Sequence, residues 1–382
     1  MIPQISNARM LGHWARIVAL ALVSVNAAGC APRGLKAPAH DPRIWTQYLG
    51  TASRAPSARE VLAAELASLW SADMGKPAAG ALAVGERVVV VMGFDRYLTL
   101  VDWETGRRLW RRRLNTTGAA GPLLAGDRVY AVTGGQKGRI YAARLQNGAK
   151  LWSFDFRFVS APIAIADEVV VAASENGRIV AIDTADGRVR WRRALGRPVR
   201  SGVSLIGDRV LAATDDSLFL LSLDDGHTQV TAALPGPLVA PPALAGQTVI
   251  VASPDGYIAA FAAEDLRQLW IRQVGEPIFG SPAVARDTVY AVTVTGRLWA
   301  IPLAEPDRGA AVELGVPVRA APAPLADGVL VGTVGGEVLF APADGSPVRR
   351  RVRVDGPIEQ QPIVSHGALL VADGRGILHV WR

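Results

Sequence analysis

Chemistry in this 382-residue chain would have to come from few side chains, beginning with five histidines and a single cysteine. His13, His40, His227, His366 and His379 show no metal-ligand spacing, and no serine, histidine and aspartate stand in an order that marks a nucleophile triad. Asp186, Asp225 and Asp344 each precede a glycine, where turn geometry explains them. An oxygen-lined calcium site needs about six to eight converging ligands, and no such cluster of Asp, Glu and Asn is visible. Gly134-Gly135 and Gly335-Gly336 read as hairpin turns, because no helical pattern follows to cradle a phosphate. These residues predict no catalytic centre, no metal and no cofactor.

What remains is positive charge and one thiol. The formal charge is +7, falling to +5 once residues 1–29 are removed with Arg9 and Arg16. Only Lys36, Lys76, Lys137 and Lys150 are lysines, so the excess is arginine-driven. Arg107, Arg108 and Arg111 to Arg113 flank Trp110; Arg188, Arg190, Arg192 and Arg193 surround Trp191; Arg349 to Arg351 and Arg353 form a third cluster. Two readings stand: a basic rim that meets acidic partner domains or anionic lipid, or charges that keep exposed strand edges from pairing with other chains. No nucleic-acid-binding motif accompanies them.

Residues 1–29 read as a secretory signal, with Arg9 and Arg16 ahead of the short apolar run 17–25 and small residues after it. That run is too short to span a bilayer. It ends Ala27-Ala28-Gly29-Cys30, which resembles a bacterial lipobox, so Cys30 is the expected lipidation site. Residues 30–65 then form a tether, Ala- and Pro-rich at its start. An acylated Cys30 leaves no thiol for a disulfide, a metal or a nucleophile. Lipid would hold the folded body at a membrane, expected to be the outer membrane on its periplasmic face.

The elements that position these residues follow a beat. Pro122, Pro162, Pro242, Pro282, Pro322 and Pro362 stand in steps of 40 or its multiple, with Gly202 in the missing place. Each period carries several short strands: within 161–195, Ala161-Pro162-Ile163 opens the first, and Asn176-Gly177 and Asp186-Gly187 mark hairpin turns. First-strand anchors fall near residues 81, 122, 162, 202, 242, 282, 322 and 362. Such a period predicts an all-β, eight-bladed β-propeller of four-stranded antiparallel blades over 66–382. Seven blades would result if the divergent stretch 302–313 were irregular. The last copy reaches only its third strand, 377–381, so Leu69-Trp70-Ser71-Ala72-Asp73 is expected to complete it and close the ring. Trp70, Trp110, Trp152, Trp191 and Trp270 keep the beat as packing elements between blades.

The phrases Ile179-Val180-Ala181-Ile182-Asp183, Asp186-Gly187 and Trp191, with Val101-Asp102, Thr105-Gly106 and Leu109-Trp110, resemble the repeats of quinoprotein-type (PQQ-like) propellers. Trp45, Tyr48, Gly50 and Arg54 resemble the aromatic–glycine segment ahead of such propellers. A lipoprotein of this length with eight such repeats is similar to the propeller scaffold of the outer-membrane β-barrel assembly machinery. That resemblance implies a non-enzymatic role, docked on the periplasmic domains of the barrel-inserting subunit and receiving unfolded outer-membrane proteins. It also implies a docking loop at Gly196-Arg197-Pro198-Val199-Arg200, with Val199 and Arg200 as the matching residues and Arg190, Arg192 and Arg193 as a basic flank. The next loop, Leu234-Pro235-Gly236-Pro237-Leu238-Val239, lacks the acids of the family. Arg200 reads equally as a solvated loop charge. The rival readings are a PQQ-dependent dehydrogenase, and a propeller whose channel, lined by Ser160, Ser201, Ser281, Gln360 and Gln361, takes a ligand or peptide.

Overall fold

The computed structural model describes residues 61–166 and 168–382. Cys30, the signal 1–29, Trp45, Tyr48, Gly50 and Arg54 lie outside the described residues. Eight four-stranded antiparallel sheets form blades 1 to 7 at 83–113, 123–155, 164–194, 203–233, 243–273, 283–313 and 323–353. Blade 8 joins 363–381 to Ser68–Asp73. First strands of neighbouring blades touch one another, which puts them at the axis and the fourth strands outermost. The sixth copy is a complete blade with a single 3₁₀ turn, Pro306–Arg308, so the ring has eight blades.

The second strands show why the chain folds this way. Val88–Met92 is apolar at every position because both sheet faces are covered. Val89 and Val91 pack with Leu370, Leu378 and Val380 of blade 8, while Val88 and Val90 pack with Val129 and Ala131 of blade 2. The core is therefore a series of layers between blades rather than one central mass.

The fourth-strand tryptophans join those layers. Nε1 of Trp70, Trp110, Trp152 and Trp191 donates to the carbonyl of Trp103, Leu145, Thr184 and Leu223 respectively, at 2.7–2.9 Å, each in the next blade. Each ring also covers a turn glycine there. At Gly187, φ is +77° and an added Cβ would sit 2.8 Å from the Trp152 ring, so glycine is required twice over.

The N-terminal strand closes the ring as expected. Trp70 pairs with Val380 and Ser71 with His379, and Ala67 and Arg382 exchange backbone hydrogen bonds at 2.7 and 2.9 Å. A shared blade leaves no gap through which the ring can open.

One expectation needs correcting. The strand registers Leu123↔Tyr130, Ala164↔Val171, Ser204↔Leu211 and Ala243↔Ile250 align the blades. The proline position is then occupied by Leu82, Pro122, Ile163, Val203, Pro242, Pro282, Pro322 and Pro362. Pro162 and Gly202 each stand one residue too early. In seven of the eight blades the first strand starts just after this position, whether it holds proline, Leu82 or Ile163, and proline is tolerated there because it need not donate to the ladder. Only in blade 4 does the strand begin at the position itself, Val203.

Candidate docking face

The connections between blades and the second hairpin of each blade share one face of the ring. In each hairpin from blade 2 to blade 8 a small polar side chain sits buried at the same position: Thr133, Ser174, Thr214, Ser253, Thr293, Thr333 and Asp373. Thr293 and Thr333 accept the N–H of Arg297 and Glu337 at 3.1 and 3.0 Å, capping the turn from within. The connections then dock on these hairpins. The N–H groups of Val199, Ile278, Val318 and Ile358 donate to the carbonyls of Ser174, Ser253, Val294 and Thr333 at 2.9–3.3 Å.

This docking buries one aliphatic side chain per connection: Val199, Leu238, Ile278, Val318 and Ile358 are all 2% exposed or less. Val199 is thus a core residue, packed with Trp191, Val203 and Leu205. The expectation that it contacts a partner is corrected on that ground. The residue after the buried one turns outward instead, which places Arg200, Val239, Phe279, Arg319 and Glu359 in a row of consecutive connections. Phe279 is 50% exposed and Val239 36%. On consecutive connections, a half-exposed phenylalanine and an exposed valine, with arginines on the connections to either side, offer apolar surface of the kind that partner proteins cover.

Local ion pairs order the arginines of this row. Arg200 pairs with Asp215, and Arg197 with Asp216 at 3.1 Å, both acids lying in the second hairpin of blade 4. Arg319 reaches Glu359 on the next connection at 3.2 Å. Each remains partly solvent-exposed, so these pairs hold geometry more than they stabilise the fold.

Arg190, Arg192 and Arg193 lie elsewhere. Arg190 binds Asp183, the last residue of its blade's third strand, at 2.7 Å and Glu168, in the turn after the first strand, at 3.3 Å, both on the opposite face. The paired guanidinium holds the Asp183 carboxyl below the ordinary carboxylate range. Arg192 lies 5.8 Å from the Phe154 ring, and Arg193 donates to Thr228 Oγ1 at 3.4 Å. The other arginine clusters are similarly engaged. Arg111 pairs with Asp95 and covers the Tyr97 ring, Arg112 donates to Gly148 O at 2.7 Å, and Arg350 and Arg353 share Glu337. The structure does not bring Arg190, Arg192 and Arg193 into one site with Arg200.

The structure also assembles a trio that sequence order concealed. Ser71 Oγ lies 2.9 Å from His379 Nδ1, and His379 Nε2 lies 3.2 Å from the buried Asp373 carboxylate. Ser71 occupies the middle of a regular outer strand, not the sharp turn that presents a serine nucleophile. The trio fastens the first strand to the last at the closure of the ring. Among the described residues no group of three or more His, Cys, Asp or Glu could hold a metal ion. No helix there is long and apolar enough to cross a membrane.

Repeats, blade closure and interblade tryptophans define a propeller of the PQQ-like class. Family-level comparison narrows this: the model for "Outer membrane protein assembly factor BamB" matches residues 58–210, 136–313 and 194–382. The chain belongs to the BamB family. BamB of Burkholderia pseudomallei is 33% identical over 115 residues, which is 30% of each chain. Matched stretches span only 27–47% of the length of the curated relatives. Among solved structures, BamB from Moraxella catarrhalis aligns over 86% of this chain and 92% of its own, with TM-score 0.53 and 20% identity. A europium-containing methanol dehydrogenase aligns over 89% and 98%, with TM-score 0.76 but 11% identity. Both structural likenesses speak to the fold alone.

Proposed function

We propose that this protein is a non-enzymatic scaffold of outer-membrane β-barrel assembly, facing the periplasm and held to the outer membrane by lipid on Cys30. Its partners in this reading are the periplasmic domains of the barrel-inserting subunit and the unfolded barrel proteins delivered to it. Residues 1–29 are the removed signal, 30–65 the tether and 66–382 the working domain. The observation that carries the proposal is the row Arg200, Val239, Phe279 and Arg319, an exposed apolar pair between cations on one face of a rigid ring. Family membership supports a role for that face in assembly rather than in catalysis.

Affinity purification from detergent-solubilised membranes tests it. The wild-type protein is expected to recover the barrel-inserting subunit, and Val239→Asp with Phe279→Asp to lose at least tenfold of that recovery while remaining folded. Equal recovery by both would remove this face from the account. Quinone-dependent dye reduction by the purified protein would replace the scaffold reading with the dehydrogenase one. A Cys30→Ser variant is expected in the soluble periplasmic fraction; its retention in membranes would count against the lipid anchor.

A further inference from the structure

Blade 2 departs from the repeat at its second hairpin. In blades 6 and 7 the buried threonine accepts the N–H four residues ahead, whereas Thr133 accepts that of Arg139, six ahead, at 3.0 Å. The two additional residues are held firmly. Asn115, from the preceding connection, donates from Nδ2 to Lys137 O at 2.5 Å and accepts from Thr133 Oγ1 at 3.0 Å. Phe156 and Phe158 donate from their N–H groups to Gly138 O and Gly135 O at 3.1 and 2.9 Å. A Cβ at Gly138 would lie 2.8–3.0 Å from three carbonyl oxygens, so only glycine fits there.

The enlarged hairpin forms one wall of a cleft of about 380 Å³, lined by Asn115, Gln136, Lys137, Arg139, Asp155 and Arg157. That volume lies within the roughly 300–1,000 Å³ typical of small-ligand sites. Three cations face one carboxylate, and Asp155 is already engaged by Arg139. Lys137 and Arg157 have no ion pair among the described residues. Two cations without ion pairs lining a concave surface concentrate positive potential where a ligand would sit. A guanidinium supplies a planar fork for oxyanions, and an ammonium a point charge.

We propose that this cleft binds a phosphate-class oxyanion, either a soluble phosphate ester or a phospholipid headgroup. Lys137 and Arg157 make the charged contacts, and Asp155 orients Arg139 beside them. Two excess positive charges suit a phosphate or pyrophosphate better than a lone carboxylate.

The test is calorimetric titration of the full chain with pyrophosphate at low salt. Lys137→Ala with Arg157→Ala is expected to weaken binding at least tenfold. Arg350→Ala with Arg353→Ala, which removes the same net charge elsewhere, is expected to leave it unchanged. Co-flotation with phosphatidylglycerol against phosphatidylcholine vesicles separates the sources. Loss of phosphatidylglycerol retention in the Lys137/Arg157 pair assigns the site to headgroups, and loss of pyrophosphate binding alone assigns it to soluble esters. Equal weakening by both charge pairs, an equal response to acetate at matched ionic strength, or no binding of either probe would overturn the proposal.

Discussion

Val199 and Arg200 are neighbours with opposite fates, and the difference sets what each substitution should do. Val199 is fully buried under its connection. Val199→Asp places an unpaired carboxylate there and is expected to cost several kcal/mol, enough to prevent folding or lower the denaturation midpoint sharply. Arg200→Ala removes a partly exposed ion pair and should change stability by less than about 1 kcal/mol. Urea denaturation of the two variants checks this; comparable effects would mean that the connection is packed differently. The sequence supports both residues equally as docking candidates, because a valine beside an arginine in a Gly-Pro loop has no periodic partner to betray its burial. Only alignment of its connection with those of Leu238, Ile278, Val318 and Ile358 reveals the buried position.

At the scale of elements, the closure of blade 8 depends on the hydrogen bonds that Asp373 accepts. Its carboxylate takes the N–H groups of Arg375 and Ile377, both at 2.9 Å, and contacts His379. Asp373→Ala strips a buried anchor and is expected to destabilise by about 2–3 kcal/mol, whereas Ser71→Ala, at the exposed end of the trio, should cost less than about 1 kcal/mol. Thermal unfolding of both variants distinguishes a seam that locks the ring from one that merely ends it. Turns add a pH dependence. Asp183, Asp225, Glu276 and Asp344 all have carboxyl pKa values below their ordinary ones, through hydrogen bonds from Arg190, His227 N–H, Thr295 and Ser346 as the leading causes. A carboxylate whose pKa is lower folded than unfolded contributes its stability above the unfolded value and loses it as pH falls through the folded one. The urea midpoint should hold at neutral pH and drop below about pH 4; a midpoint that rises on acidification would contradict these assignments.

Element order was largely legible in the chain. Short strands between Asn-Gly and Asp-Gly turns and the spare strand around Trp70 point to a closed ring, of eight blades if 302–313 is a regular copy and of seven if it is not. The register inside that ring was harder to read. Blade 2 gains two residues in one hairpin and loses one in the connection from Asp155 to Ile163, and blade 4 has a hairpin one residue shorter, with Thr214 and Ser217 in the roles of Thr293 and Arg297. These changes offset each other along the chain, so Pro162 and Gly202 fall on a regular beat that the strands do not share. The trio at the seam was invisible for another reason: Ser71 and His379 are 308 residues apart. Spacing along a sequence cannot show what ring closure brings together.

The described residues form a closed ring whose two faces differ in what they offer a partner. One face carries Arg200, Val239, Phe279 and Arg319 on connections pinned by backbone hydrogen bonds; the other carries the turns after each first strand, such as Gly246-Gln247. The outer edges between them are guarded by arginines that mostly pair with acids or aromatic rings of their own or adjoining strands. A scaffold of this kind works by presenting one face in fixed geometry, so binding should depend on position around the ring more than on net charge. Site-specific photo-crosslinking in intact cells measures that directly, with the reactive side chain at position 279 on one face or 247 on the other. The account expects a crosslink to the barrel-inserting subunit from position 279 and none from 247. A crosslink from 247 alone, or from neither position, would contradict it.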